Sequence, residues 1–196
     1  TMTTQLLLMI TAFAGCLLAI LSFYPLSQRI GLVDIPRGRK QHQGAIPLIG
    51  GLSVFTGILL GFILFPVADL NAGYYLTLAG ALVILGAFDD YLDLSVKLRL
   101  AVQLLLSAAM VYVLDLHLAN LGNLFGFGDV RLGFLGVPVT LIAVIAAINA
   151  FNMTDGIDGL AGMLSLVSFV AIAGFMLLWG QIEQALLPMV LICAML

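Results

Sequence analysis

Two groups of acidic and amide side chains carry the chemistry this sequence could perform. The first is Phe88-Asp89-Asp90-Tyr91-Leu92-Asp93, where adjacent carboxylates follow directly on an apolar run. The second is Asn149-Ala150-Phe151-Asn152-Met153-Thr154-Asp155-Gly156-Ile157-Asp158-Gly159, in which glycines let a ligand approach the backbone closely. An ionised group beside hydrocarbon is costly unless it is paired, solvated or metal-bound. If Asp89, Asp90, Asp155 and Asp158 converge without matching cations, a divalent ion is the expected counter-charge. Hard oxygen ligands suit Mg²⁺, which is usually shared between one or two carboxylates and substrate phosphates. Such an ion would offset repulsion between the acids and an incoming diphosphate, and stabilise charge on the departing phosphate. The plain alternative is that these acids only end helices in water; Asp93 fits either reading.

Basic residues complement the acids. Asp34-Ile35-Pro36-Arg37-Gly38-Arg39-Lys40-Gln41-His42-Gln43-Gly44 could hold a nucleotide or lipid phosphate, with Lys40 and His42 as donors, or could simply set topology. On charge alone the topological reading is favoured. Lys97, close in sequence to Asp90, is the better phosphate-ligand candidate. His117 lies near the far end of an apolar run and is assigned no role.

The elements that must position these residues are membrane spans. Of 196 residues, 63% are hydrophobic and 9% charged, against about 25% charged in an ordinary soluble domain. No soluble core could hide this much apolar surface, so lipid is the expected solvent. Seven Lys and Arg in such a chain cannot form a phosphate-tracking stripe, which excludes nucleic acid as a partner. Cys16 and Cys193 lie in apolar runs and read as small buried hydrophobes. Apolar runs fall near 4–26, 46–66, 74–88, 98–118, 134–151, 160–180 and 185–196. They predict an all-α polytopic transmembrane bundle forming a single domain over 1–196, with about six full spans and a truncated seventh. Turn residues at 122–129 predict a small hairpin within 119–133, outside the membrane.

Loops 27–45, 89–97 and 152–159 are separated by pairs of spans and therefore share one face. Arg29, Arg37, Arg39, Lys40, Lys97 and Arg99 lie on that face, and Arg131 alone on the other. The excess places the acid-bearing loops in the cytoplasm and the N-terminus on the outer, periplasmic side. The apolar run from Leu186 to Leu196 has no polar flank, and the chain reads as the N-terminal part of a longer protein.

All three cytoplasmic segments, in order, resemble the polyprenyl-phosphate N-acetylhexosamine-1-phosphate transferases. The matching stretches are Arg39-Lys40-Gln41-His42-Gln43-Gly44-Ala45-Ile46-Pro47-Leu48-Ile49-Gly50-Gly51, then Gly86-Ala87-Phe88-Asp89-Asp90, then Asn149 to Leu160. The His-Gln-Gly-X-Ile-Pro form of the first is most like the undecaprenyl-phosphate N-acetylglucosaminyl-1-phosphate transferase branch; the peptidoglycan branch usually has Gly-Thr-Pro there. The resemblance implies a bacterial inner-membrane enzyme that joins UDP-N-acetylglucosamine to undecaprenyl phosphate with Mg²⁺ or Mn²⁺. It releases UMP and starts O-antigen, common-antigen or related glycan synthesis. It further implies that Asp89 orients or deprotonates the lipid phosphate, with Asp90 beside the metal. Asn152 and Asp155 would face the nucleotide-sugar, Asp155 being a second metal candidate. Gly156, Ile157 and Asp158 would face the uridine, and Lys97 would neutralise phosphate charge. A homodimer is compatible with the resemblance.

Two further motifs of that family, a Gly-Asp-Ala-Gly-Ser-like loop with the principal metal ligand and a His-X-His loop, are absent from these 196 residues. This piece is therefore expected to be inactive alone, and the choice of hexosamine stays open. Two rivals are weighed against the transferase. Asp89-Asp90-Tyr91-Leu92-Asp93 has the Asp-Asp-X-X-Asp form of prenyl-diphosphate chemistry, but a membrane prenyltransferase leaves the His-Gln-Gly-X-Ile-Pro loop unexplained. A transporter or non-catalytic scaffold could use intramembrane carboxylates, yet these acids gather on one face instead of tracing a path across.

Overall fold

The computed structural model describes residues 2–34, 46–67, 70–154 and 159–196. Among them, seven α-helices follow in chain order: α1 (Met2–Ile30), α2 (Gly50–Leu64), α3 (Leu70–Leu92), α4 (Val96–Leu114), α5 (Gly136–Thr154), α6 (Leu160–Leu178) and α7 (Ile182–Met195). Helices α1, α3, α4, α5 and α6 are long and apolar enough to cross a membrane. The chain is a multi-pass, all-α membrane protein. In lipid each backbone donor and acceptor must be satisfied within its own segment, which is why apolar runs of this length coil. Hydroxyls inside the helices follow the same rule. Thr56, Ser107, Thr140 and Ser168 each donate to the carbonyl four residues earlier, at 2.7 Å.

Two helices differ in length from their apolar runs, for local reasons. The run at 46–66, expected to be a full span, yields only the 15-residue α2, about 22 Å long against a hydrocarbon core of about 30 Å. Its first residues are spent on a strand: β2 (Ile46–Pro47) pairs antiparallel with β1 (Val33–Asp34), and Leu48 N–H donates to Leu32 O. Its end is set by Pro66, because the residue before a proline is pushed out of helical geometry; Phe65 has φ −129 and ψ 70. Conversely, the short run at 74–88 extends at both ends into the 23-residue α3, which takes Asp89 and Asp90 into its last turns. The final apolar run forms α7, 14 residues with Pro188 inside it.

Close packing is concentrated where α1, α2 and α7 meet. Leu8, Ala12, Ile58, Leu186, Val190 and Ala194 form one buried cluster there. Elsewhere, large apolar side chains such as Leu105 and Ile142 are exposed, as suits a surface bathed in lipid.

The expected hairpin joins α4 to α5. Asn120 and Arg131 form an antiparallel bridge, Leu121 N–H donates to Val130 O, and Val130 N–H donates to Gly122 O. Its base is tied to α5 by Leu118 N–H donating to Thr140 Oγ1 at 2.8 Å.

Candidate functional site

The α3–α4 corner brings the first acidic group together with a base that composition alone marks only as a topological charge. Asp93 ends α3 in the left-handed region, φ 51, a conformation that Asp tolerates better than most residues. Its N–H donates to Asp89 O at 2.9 Å, closing the last turn. Asp93 is thus a helix stop. Ser95 caps α4, its hydroxyl accepting from Leu98 N–H at 3.4 Å. The reversal occupies only residues 93–95. One turn back from the stop lies Asp89, and one turn on from the cap lies Arg99, so the two meet across the corner. Arg99 Nη1 donates to Asp89 Oδ2 at 2.7 Å, with 25% of the Arg99 side chain and 11% of the Asp89 side chain exposed. This is a charge-assisted bond, shorter and stronger than a neutral one.

Behind this pair the polar chemistry continues into the bundle. Gln103, one turn beyond Arg99 on α4, is buried and accepts from Asn149 Nδ2 on α5 at 2.7 Å. Asn149 Nδ2 also donates to Ile145 O at 2.8 Å. A small cleft between the three helices is lined by Asp89, Arg99, Gln103 and Asn152, and its apolar floor includes Leu82, Leu85 and Ile148. Arg99 Nε is buried against this wall with no hydrogen-bond partner among the described residues.

The predicted residues fall as follows. Asp89 and Asn152 line the same cleft, so α3 and α5 deliver one residue of each motif to one place. Asp90 is exposed at the end of α3, and Lys97 is exposed on the first turn of α4. Lys40, His42, Asp155, Gly156, Ile157 and Asp158 lie outside the described residues. Among the described residues no three His, Cys, Asp or Glu side chains gather as a metal cage. The donors present are oxygen-rich and suit a hard cation shared with phosphate.

Arg99 and Gln103 were not singled out from the sequence as site residues. A signal for Arg99 existed: helix-stop and helix-cap chemistry at 93–95 predicts that residues one turn away on either side face each other. Gln103 could have been marked as the polar residue inside an apolar run, since such groups seek partners in a neighbouring helix.

Comparison with known proteins gives the family of the chain. The family profile described as Glycosyl transferase family 4 matches residues 72–196. A Yersinia pestis protein named undecaprenyl-phosphate alpha-N-acetylglucosaminyl 1-phosphate transferase is 48% identical over 116 residues, 59% of this chain and 32% of that protein. Proteins of the same name from Escherichia coli (strain K12) and Pasteurella multocida (strain Pm70) are each 44% identical. The first covers 60% of this chain and 32% of the relative, the second 69% and 38%. The chain thus spans about a third of the length of the curated relatives it matches.

Proposed function

The chain belongs to glycosyl transferase family 4, and we propose that the full-length protein transfers N-acetylglucosamine 1-phosphate from UDP-N-acetylglucosamine to undecaprenyl phosphate. The products are undecaprenyl-diphospho-N-acetylglucosamine and UMP. The observation that carries this reading is the joint placement of Asp89 and Asn152 on one cleft, in a chain 44–48% identical over its matched part to relatives bearing that transferase's name.

In the proposed reaction an oxygen of the lipid phosphate attacks the β-phosphorus of the nucleotide-sugar. The bond from that phosphorus to the bridging oxygen breaks, and UMP leaves with the oxygen. Little covalent chemistry falls to the protein in such a transfer; it must hold the two phosphates in line and balance their charge. Asp89 orients the attacking phosphate, and Asn152 faces the nucleotide-sugar. Lys97, Lys40 and His42 offset phosphate charge, while Asp155, Gly156, Ile157 and Asp158 complete the nucleotide side. Mg²⁺ or Mn²⁺ suits the oxygen donors of Asp90 and Asp155 and would supply charge neutralisation at the diphosphate. The excess of Lys and Arg beside the acid-bearing loops supports a bacterial inner-membrane protein with this site in the cytoplasm and its N-terminus in the periplasm. The product would begin a cell-surface glycan such as O-antigen or common antigen.

The test is UMP release by the full-length protein in lipid vesicles, supplied with UDP-N-acetylglucosamine, undecaprenyl phosphate and Mg²⁺. The expected result is UMP that requires both substrates and the metal and falls steeply in Asp89→Asn. Absence of UMP with folded protein, or turnover of a prenyl diphosphate instead, would overturn the reading.

A further inference from the structure

We propose that Arg99 is a positioning residue of the transfer reaction: through its bond to Asp89 it fixes the carboxylate that orients the lipid phosphate. The inference rests on the transferase reading above. Three observations carry it. The Arg99 Nη1–Asp89 Oδ2 separation is 2.7 Å, and both side chains are largely withdrawn from water, so the pair is weakly screened. Arg99 meets the carboxylate through one short, charge-assisted N–H···O bond, which is directional and fixes the place of that oxygen.

The pair also bridges two helices whose own connection is a turn of residues 93–95, which fixes their axial register but not the rotamer of Asp89. Finally, Arg99 stands on a helix that is itself anchored. Gln103, one turn deeper on α4, accepts from Asn149 of α5 at 2.7 Å, and Asn152 lies on the same helix three residues further along. Asp89 is thus bonded to α4, and α4 is bonded one turn deeper to the helix that carries Asn152.

A direct role for Arg99 on a substrate phosphate is the competing assignment, because its buried Nε has no acceptor among the described residues. The two assignments part once Asp89 is removed. A residue that acts through Asp89 has nothing left to position, whereas a phosphate ligand still has its phosphate.

The experiment is a double-mutant cycle in the full-length protein in phosphatidylethanolamine–phosphatidylglycerol vesicles, read as kcat and KM for UMP release. Arg99→Gln should lower kcat about a hundredfold, the scale of a small misplacement of a reacting group, with KM for both substrates within about twofold. Arg99→Lys, which keeps charge but not the fork, should recover part of the loss. Arg99→Gln combined with Asp89→Asn should be no slower than Asp89→Asn alone.

Losses that multiply in the double variant, or a loss carried by KM, would overturn the proposal in favour of phosphate binding. An unchanged Arg99→Gln would overturn it outright. Should Arg99→Gln fail to fold, Arg99→Lys closes the same cycle. Should Asp89→Asn fall below detection, the division between kcat and KM in the two Arg99 variants decides. An inactive wild-type protein would instead reject the transferase reading itself.

Discussion

Gln103 on α4 and Asn149 on α5, 46 positions apart in sequence, share a hydrogen bond of 2.7 Å inside the bundle. Asn149 Nδ2 also donates to Ile145 O within its own helix, so the bond to Gln103 is the part of its polar contacts that reaches between helices. Hydrogen bonds between transmembrane helices are nevertheless modest, because an unfolded chain in the membrane also finds partners. Gln103→Leu should therefore cost only about 1 kcal/mol, seen as a lowered midpoint of thermal unfolding of the detergent-solubilised full-length protein. Combining it with Asn149→Ala should cost less than the sum of the two single changes, because both remove the bond they share. Fully additive losses would mean that the shared bond contributes nothing to stability.

The α1–α2 contact is where a single methyl group should do most damage. A Cβ at Gly57 would meet the Ala12 carbonyl oxygen and lie 2.6 Å from Cys16 N, both rigid backbone atoms. Gly57→Ala must push the helices apart and should destabilise by about 1–3 kcal/mol. Gly174→Ala, inside α6 with open space around it, should be neutral or stabilising by up to about 1 kcal/mol through helix propensity. Parallel unfolding curves of the two variants check the contrast, and equal effects would contradict the packing.

The parts that were legible in the sequence are those governed by local rules. Apolar run length announced the helices, and Gly122, Gly126 and Gly128 announced the hairpin, each with positive φ in the structure. Asp89 and Asn152 were placed on one face by counting spans, and they do line one cleft. What was not legible depended on where helices begin and end. Hydropathy puts the end of α3 at the first carboxylate, yet a helix continues while its backbone bonds can form, and Asp93 in the left-handed region stops it. That shift of one turn is what sets Asp89 opposite Arg99. Pro47 and Pro66 likewise cut α2 short inside a run whose hydropathy suggests a full span. The pairing of Gln103 with Asn149 depends on the rotation of two helices about their axes, which a nearly uniform apolar surface does not encode.

The hairpin between α4 and α5 should be separable from activity. Asn123 Oδ1 accepts from Gly128 N–H at 3.0 Å, and Gly128 has φ 111, a region that L side chains rarely enter. Gly128→Val should strain this turn by about 1–3 kcal/mol and speed amide exchange of residues 119–132. The strain is local, and α4 and α5 separate the turn from the Asp89 cleft. Turnover should stay within about twofold of wild type, inside the small range of effects expected for surface changes away from a site. A large loss of activity would show that the loop is coupled to the cleft.

Asp90 offers a test of the metal that does not depend on total loss of activity. It is exposed at the end of α3, next in sequence to Asp89, whose carboxylate Arg99 holds, and it is the carboxylate proposed to face an ion shared with phosphate. Mg²⁺ needs only one or two protein carboxylates when phosphate oxygens and water fill its remaining positions, so losing one should weaken binding without abolishing it. Chelation with EDTA should stop UMP release by the wild-type protein, and added Mg²⁺ or Mn²⁺ should restore it. Asp90→Asn should raise the Mg²⁺ concentration for half-maximal rate by about 10–100-fold, with part of the lost rate recovered at saturating metal. Asp89→Asn should not be recovered by metal, because it removes the group proposed to orient the phosphate. If the two variants respond alike to Mg²⁺, the division of labour between these neighbouring carboxylates is wrong.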